Sequence, residues 1–68
     1  MNQRSEIKVV FNLPNGRYTT KVFQSPVSLL HVGTIGDKLG SRSFQAYENN
    51  VLLGGWAVFS DGWNYCGR

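Results

Sequence analysis

The chain of 68 residues is 41% apolar and 13% aromatic, which suits one small folded domain and excludes a disordered tail. Seven basic and four acidic residues give a formal charge of +3, which reflects scarce acids rather than abundant bases. A core of this size rarely supplies more than about 3–5 kcal/mol of stability unless a disulfide, a metal or a partner helps. We expect one β-rich domain over residues 1–68, with residues 1–4 as a flexible N-terminal arm.

The clearest predicted element is a hairpin near the N-terminus. Apolar and polar residues alternate over residues 6–13, which is the period of a strand with one buried face. Asn15-Gly16 then predicts a two-residue turn, because both residue types tolerate the positive φ of a type I′ turn. This turn pairs Val9 with Val22 and puts both on one face. The opposite face, either ordinary exposed sheet or a contact patch for an anionic or amphipathic partner, holds Lys8, Val10, Asn12, Arg17, Thr19, Lys21 and Phe23.

A short helix is predicted near residues 26–32. Ser25 suits the N-cap, Pro26 the first helical position and Gly33 the stop. Each further glycine weakens a continuous helix by about 1 kcal/mol relative to alanine, so we expect a glycine-punctuated loop to about Arg42. The spacing of these glycines does not match a phosphate-binding loop. A strand through the same segment is the alternative.

Strand patterns return in the last third of the chain. Asn49-Asn50 predicts a turn between two apolar stretches, and Asp61-Gly62 predicts a second turn. The second turn pairs Val58 with Tyr65, so the side chains of its two strands divide between the faces of the hairpin. The residues that then share one face, as the core of a small barrel or as an exposed contact surface, are Trp56, Val58, Trp63 and Tyr65.

These elements predict a mainly β fold: a small antiparallel sheet or partly open barrel of about five strands, with one short helix. An α+β arrangement of β-grasp-like type, ββαββ, is the alternative. The three hairpin turns are predicted at Asn15-Gly16, Asn49-Asn50 and Asp61-Gly62.

The chain offers little for catalysis. His31 is the only histidine and so the only conventional general base for neutral pH, and its apolar neighbours indicate a packed histidine rather than a catalytic one. Cys66 is the only cysteine, which excludes an intrachain disulfide, and one cysteine with one histidine does not make a zinc site. We predict no enzyme, no cofactor and no metal.

Neither a signal peptide nor a membrane span is predicted. Residues 1–6 lead into the first strand pattern without an apolar leader. The longest stretch free of charged residues, 22–36, is interrupted by Pro26 and falls short of the roughly 20 apolar residues that cross a bilayer. Because a lone cysteine fits a reducing interior, we expect a cytoplasmic protein with no membrane contact.

The sequence offers no disulfide and no metal site to stabilise its small core. This, together with the aromatic terminal hairpin, favours a binding role. The leading hypothesis is a small intracellular protein that acts through protein–protein contact, as a homo-oligomer or as a stoichiometric inhibitor or accessory factor of the kind phages and mobile elements encode. The alternative is a small basic β-barrel module that binds single-stranded nucleic acid or RNA through cations and stacking aromatics. Candidate partner-binding residues are Lys8, Arg17, Lys21, Phe23, Arg42, Trp56, Trp63 and Tyr65.

Overall fold

The computed structural model describes residues 6–67, so the predicted N-terminal arm lies outside the described residues. The elements are β1 (Glu6–Asn12), a 3-10 turn (Pro14–Gly16), β2 (Tyr18–Gln24), α1 (Leu29–Leu39), β3 (Ser43–Glu48), β4 (Val51–Phe59) and β5 (Gly62–Gly67). The five antiparallel strands form one open sheet in the order β2-β1-β3-β4-β5, which makes β2 and β5 its edges. This confirms the predicted mainly β fold of five strands with a single helix.

The core lies between α1 and one face of the sheet, which we call the inner face. Its centre is a pair of fully buried phenylalanines on neighbouring strands, Phe11 and Phe44, whose ring centroids are 5.5 Å apart. The other buried apolar side chains are Val9, Val32 and Ala46. Half-buried side chains that pack around this core are Ile7, Phe23, Val27, Ile35, Leu39, Trp56 and Trp63.

The helix begins and ends later than the sequence predicts. Ser28, not Ser25, is the N-cap, and its Oγ accepts a hydrogen bond from the His31 N–H at 3.1 Å. The helix ends at Gly40, which adopts the left-handed conformation at φ 78°. Gly33 is therefore an interior helical residue, and both the predicted loop and the alternative strand are wrong for residues 33–39. Glycine in a helix costs free energy, and here that cost is offset by other side chains that pack against the glycines.

The first hairpin has a longer loop than predicted. The Leu13 N–H donates to the Arg17 carbonyl at 2.8 Å and encloses Pro14–Gly16, so Val9 pairs with Lys21 rather than Val22. A shift of one residue moves every side chain of a strand to the other face. The correction affects all of β2: Thr19, Lys21 and Phe23 lie on the inner face, while Tyr18, Thr20 and Val22 join Lys8, Val10 and Asn12 on the opposite face.

The other two turns are close to the prediction. Asn49 and Asn50 form a turn with φ of 52° and 66° between paired Glu48 and Val51. The last hairpin turns one residue earlier than predicted, so Val58 pairs with Trp63 and Trp56 with Tyr65. Because this register differs from the predicted one by two residues, the predicted face is kept. The residues confirmed to share it are Trp56, Val58, Trp63 and Tyr65.

Candidate functional site

The helix leaves part of the inner face uncovered, and a cavity opens between α1 and β4. Its volume is about 140 Å³. The cavity floor belongs to the buried core, and the exposed members of its lining are Leu29 on the helix and Leu53 on β4. Every lining side chain is apolar: Ile7, Val9, Val27, Leu29, Val32, Phe44, Ala46, Leu53 and Trp56.

A shallower depression continues from this cavity along the helix. The two share Leu29, and the depression runs past Leu30, which is 82% exposed, to Asp37. Asp37 is the one charged side chain in the two linings. We call the cavity and the depression together the groove. The depression is lined by Leu29, Leu30, Thr34, Asp37, Gly62 and Trp63.

Aromatic rings in contact form the β4–β5 side of the groove. Trp56 stacks on buried Phe44 with centroids 5.3 Å apart and planes 20° apart, and Tyr65 meets Trp56 edge-on at 5.3 Å. Trp63 lies 4.9 Å from Phe44 in a tilted arrangement. Stacked and edge-to-face pairs at these distances are favourable, so this wall is held in place by the core behind it.

Two glycines of α1 let Trp63 reach the helix. A Cβ on Gly33 would lie 2.7 Å from Trp63 Cδ1, and a Cβ on Gly36 would lie 3.2 Å from Trp63 Cζ2. The indole therefore packs on helix backbone where a side chain would otherwise stand. Within residues 6–67, the buried Trp63 Nε1 has no hydrogen-bond partner.

The sheet face opposite the helix, which we call the open face, is covered by no element of the described chain. Pairing arranges its side chains in three rows across the strands. Lys8 is the only charged residue in these three rows, and Glu6, paired with Gln24, lies on the same face just beyond them. Asn12 Nδ2 donates to Ser43 Oγ at 3.0 Å and to Gln45 Oε1 at 3.2 Å. The rows are Val22, Lys8, Tyr47 and Leu52; Thr20, Val10, Gln45 and Gly55; and Tyr18, Asn12, Ser43, Ala57 and Asn64.

No protein-family model, curated protein or solved structure matches this chain significantly.

The structure brings together three of the eight candidate residues. Trp56 and Trp63 line the groove, and Tyr65, which is 58% exposed, contacts Trp56. Phe23 lies on the inner face, where it meets His31 edge-on at 5.7 Å. This is a correction of the predicted patch, in which Phe23 shared a face with Lys8.

The four candidate cations are not gathered on one surface. Lys8 is on the open face and Lys21 on the inner face, because the shifted register of β2 separates them. Arg17 follows the first turn and Arg42 precedes β3, both at the end of the sheet away from Lys8. The predicted grouping of Arg17, Lys8 and Lys21 on one face is therefore wrong.

Sequence reasoning missed the leucines of the groove. Leu29 and Leu30 lie in the segment that is predicted as a short helix ending near residue 32. Leu53 lies at a β-bulge opposite Ala46 and Tyr47. The apolar run on β4 signals a buried strand, but the bulge turns Leu53 toward the inner face. Only the Leu29-Leu30 pair at the start of a helix was a visible signal of an exposed apolar site.

The groups available for chemistry are few in the part of the chain described. Among residues 6–67, no three His, Cys, Asp or Glu side chains stand close enough to hold a metal ion. Cys66 is exposed and not bonded to another cysteine. In the same residues, no helix is long and apolar enough to cross a membrane.

Proposed function

We propose that this protein is a small, non-enzymatic intracellular binding protein that acts through protein–protein contact. The groove is the contact site. One observation carries the proposal: a cavity of about 140 Å³ lined only by apolar residues reaches the core, opens at Leu29 and Leu53, and adjoins a depression that holds Leu30, a leucine that is 82% exposed. An exposed apolar site of this kind is typical of an interaction surface.

The size of the cavity fits a single apolar side chain. An apolar cavity of about 150 Å³ lined by Leu, Ile and Phe takes up a benzene-sized group. A Leu, Met or Phe side chain of a partner therefore fits between Leu29 and Trp56. Anchors that fill such pockets supply most of the binding energy of many interfaces.

The far end of the groove adds a charge preference. Asp37 is eight helical residues beyond Leu29, a distance of about 12 Å along α1. A partner segment that carries an apolar anchor and a Lys or Arg at that spacing complements both ends. The partner is either a second copy of this chain or a larger target that the protein serves as inhibitor or accessory factor.

The scarcity of catalytic groups supports a binding role, and the exposed, unbridged Cys66 fits a reducing compartment. Nucleic-acid binding, the alternative, draws less support from the arrangement of cations. Contacts to phosphates need several cations on one surface. Lys8 and Lys21 face opposite sides of the sheet, and Arg17 lies at its other end.

Site-specific photocrosslinking tests the proposal. A photoreactive phenylalanine analogue replaces Leu30 or Leu53 in the groove, or Lys21 on the β2 edge as the control, in the native cell. We expect discrete protein adducts at positions 30 and 53 and none at position 21. The substitution Ala46→Val, which fills the cavity from its floor, should reduce both adducts, whereas Ala57→Val on the open face should not.

The other outcomes decide against the proposal. Adducts at positions 30 and 53 no stronger than at position 21 contradict a groove contact. A nuclease-sensitive adduct at Lys21 supports the nucleic-acid alternative instead, because that position is a candidate nucleic-acid-binding cation outside the groove.

A further inference from the structure

We propose that the open face binds the open face of a second copy of this chain, so that the protein forms a two-fold dimer of stacked sheets. The groove lies on the inner face, on the opposite side of the sheet. The dimer therefore goes beyond the groove contact, and either can fail while the other stands.

The composition of the open face suits a neutral, partly apolar partner. An antiparallel sheet that faces water on one side normally alternates apolar residues with polar and charged ones. Here the three rows hold a single charge, Lys8, and Glu6 lies just beyond them on the same face, with Tyr18 70% exposed and Val22 55% exposed at the β2 edge. The charges of Glu6 and Lys8 cancel, so this face does not attract a polyanion and presents a neutral surface to a second copy.

A two-fold axis along the middle row matches the side chains of the outer rows. Such an axis runs perpendicular to the strands, between the two sheets. It places each strand over the same strand of the other copy in the opposite direction, so the first row of one copy lies over the third row of the other. On β3 and β4 a large side chain then meets a small one, on β1 a polar side chain meets a polar one, and at the β2 edge valine meets the tyrosine ring. The resulting pairs, with the partner copy's residue second, are Tyr47 with Ser43, Leu52 with Ala57, Lys8 with Asn12 and Val22 with Tyr18.

The middle row leaves room for this approach. Its side chains are small or slender, Thr20, Val10 and Gln45, and it ends at Gly55. On the axis, Val10 faces Val10 of the other copy and Gln45 faces Gln45. A glutamine pair can exchange amide hydrogen bonds, so the axis leaves no charge facing itself.

The size of the face and the small core both favour a dimer. Five strands about 4.8 Å apart make a face about 24 Å wide, which with a length of about 20 Å covers close to 500 Å² before side-chain relief is counted. Two such faces bury close to 1,000 Å² in total, which is about the lower bound for a specific interface. Only five apolar side chains of residues 6–67 are buried in the single chain, and stacked sheets add a second core.

Sedimentation equilibrium over a range of concentrations tests the dimer with the full chain. The wild type should reach twice the monomer mass. Gln45→Glu and Gln45→Arg each put like charges on the axis, so each variant alone should dimerise at least about tenfold more weakly. Mixed in equal amounts, the two variants should form a heterodimer at wild-type concentrations, because the opposite charges then face each other.

Dimerisation that is restored on mixing also shows that both Gln45 variants fold. A wild type that stays monomeric at every concentration overturns the proposal. So does a mixture no tighter than its components, which puts Gln45 away from a two-fold axis and points to a different partner for this face. Leu30→Asp, a groove substitution, should leave the dimer unchanged. If it dissolves the dimer, self-association runs through the groove and the open-face proposal is wrong.

Discussion

The indole of Trp63 rests directly on the backbone of Gly33. A Cβ built on Gly33 would lie 2.7 Å from Trp63 Cδ1 and 2.9 Å from its Nε1, closer than real side-chain contacts allow. The contact joins the last strand to the only helix of residues 6–67 and forms part of the groove wall. It makes Gly33 a packing residue, although glycine is a poor helix former.

The first prediction is that Gly33→Ala lowers the free energy of unfolding by about 1–2 kcal/mol, because overpacking outweighs the helix advantage of alanine. Gly55→Ala is the matched control. Its added methyl would approach no atom beyond its chain neighbours closer than 3.6 Å, an ordinary contact, so the change should stay within about 0.5 kcal/mol. Urea unfolding measures both. Equal losses in the two variants would contradict a specific Gly33–Trp63 contact.

This contact also explains why the helix was predicted too short. Local propensity treats Gly33 and Gly36 as helix breakers, and the sequence around them contains no sign of the tryptophan that needs the space. The packing partner is on β5, so only the tertiary structure reveals it. The start of the helix was misplaced for a simpler reason, since Ser25 and Ser28 both satisfy the N-cap preference.

The second prediction separates these two serines. Ser28→Ala removes the hydroxyl that accepts from the His31 N–H and should cost about 1 kcal/mol of stability. Ser25→Ala, the matched control, precedes the helix by several residues and should change little. Thermal unfolding of the two variants gives the comparison. A larger loss for Ser25→Ala would place the helix start where the sequence alone predicts it.

The third prediction concerns the turn at Asn49-Asn50. Asn50 has a φ of 66°, a conformation that costs most side chains about 1–2 kcal/mol and glycine nothing. Asn50→Ala should therefore destabilise the protein by about that amount, whereas Asn50→Gly should keep or raise its stability. Chemical unfolding measures both variants. If alanine were tolerated as well as glycine, the turn would not be of the left-handed type.

Comparison of the hairpins shows how far turn signals determine a surface. Asn15-Gly16 located the first turn correctly, but Pro14 joined the loop and shifted the register by one residue, which exchanged the faces of β2. At Asp61-Gly62 the register differed by two residues, and the faces survived. The aromatic side of the groove was therefore predictable from alternation. The cation patch was not, because it depended on a single residue of loop length.

The fourth prediction tests the cavity through Ala46, a buried residue in its floor. Ala46→Val adds two methylene equivalents of buried apolar volume, so it should raise the free energy of unfolding by about 1 kcal/mol. It should also remove benzene binding, which we expect the wild type to show as shifts of the Val9 and Val32 methyl signals in NMR titrations. Ala57→Val, on the open face, should leave those shifts intact. Two results would show that the space above Ala46 is not a ligand-sized cavity: methyl shifts on adding benzene that persist in the Ala46→Val variant, or a lower stability of that variant.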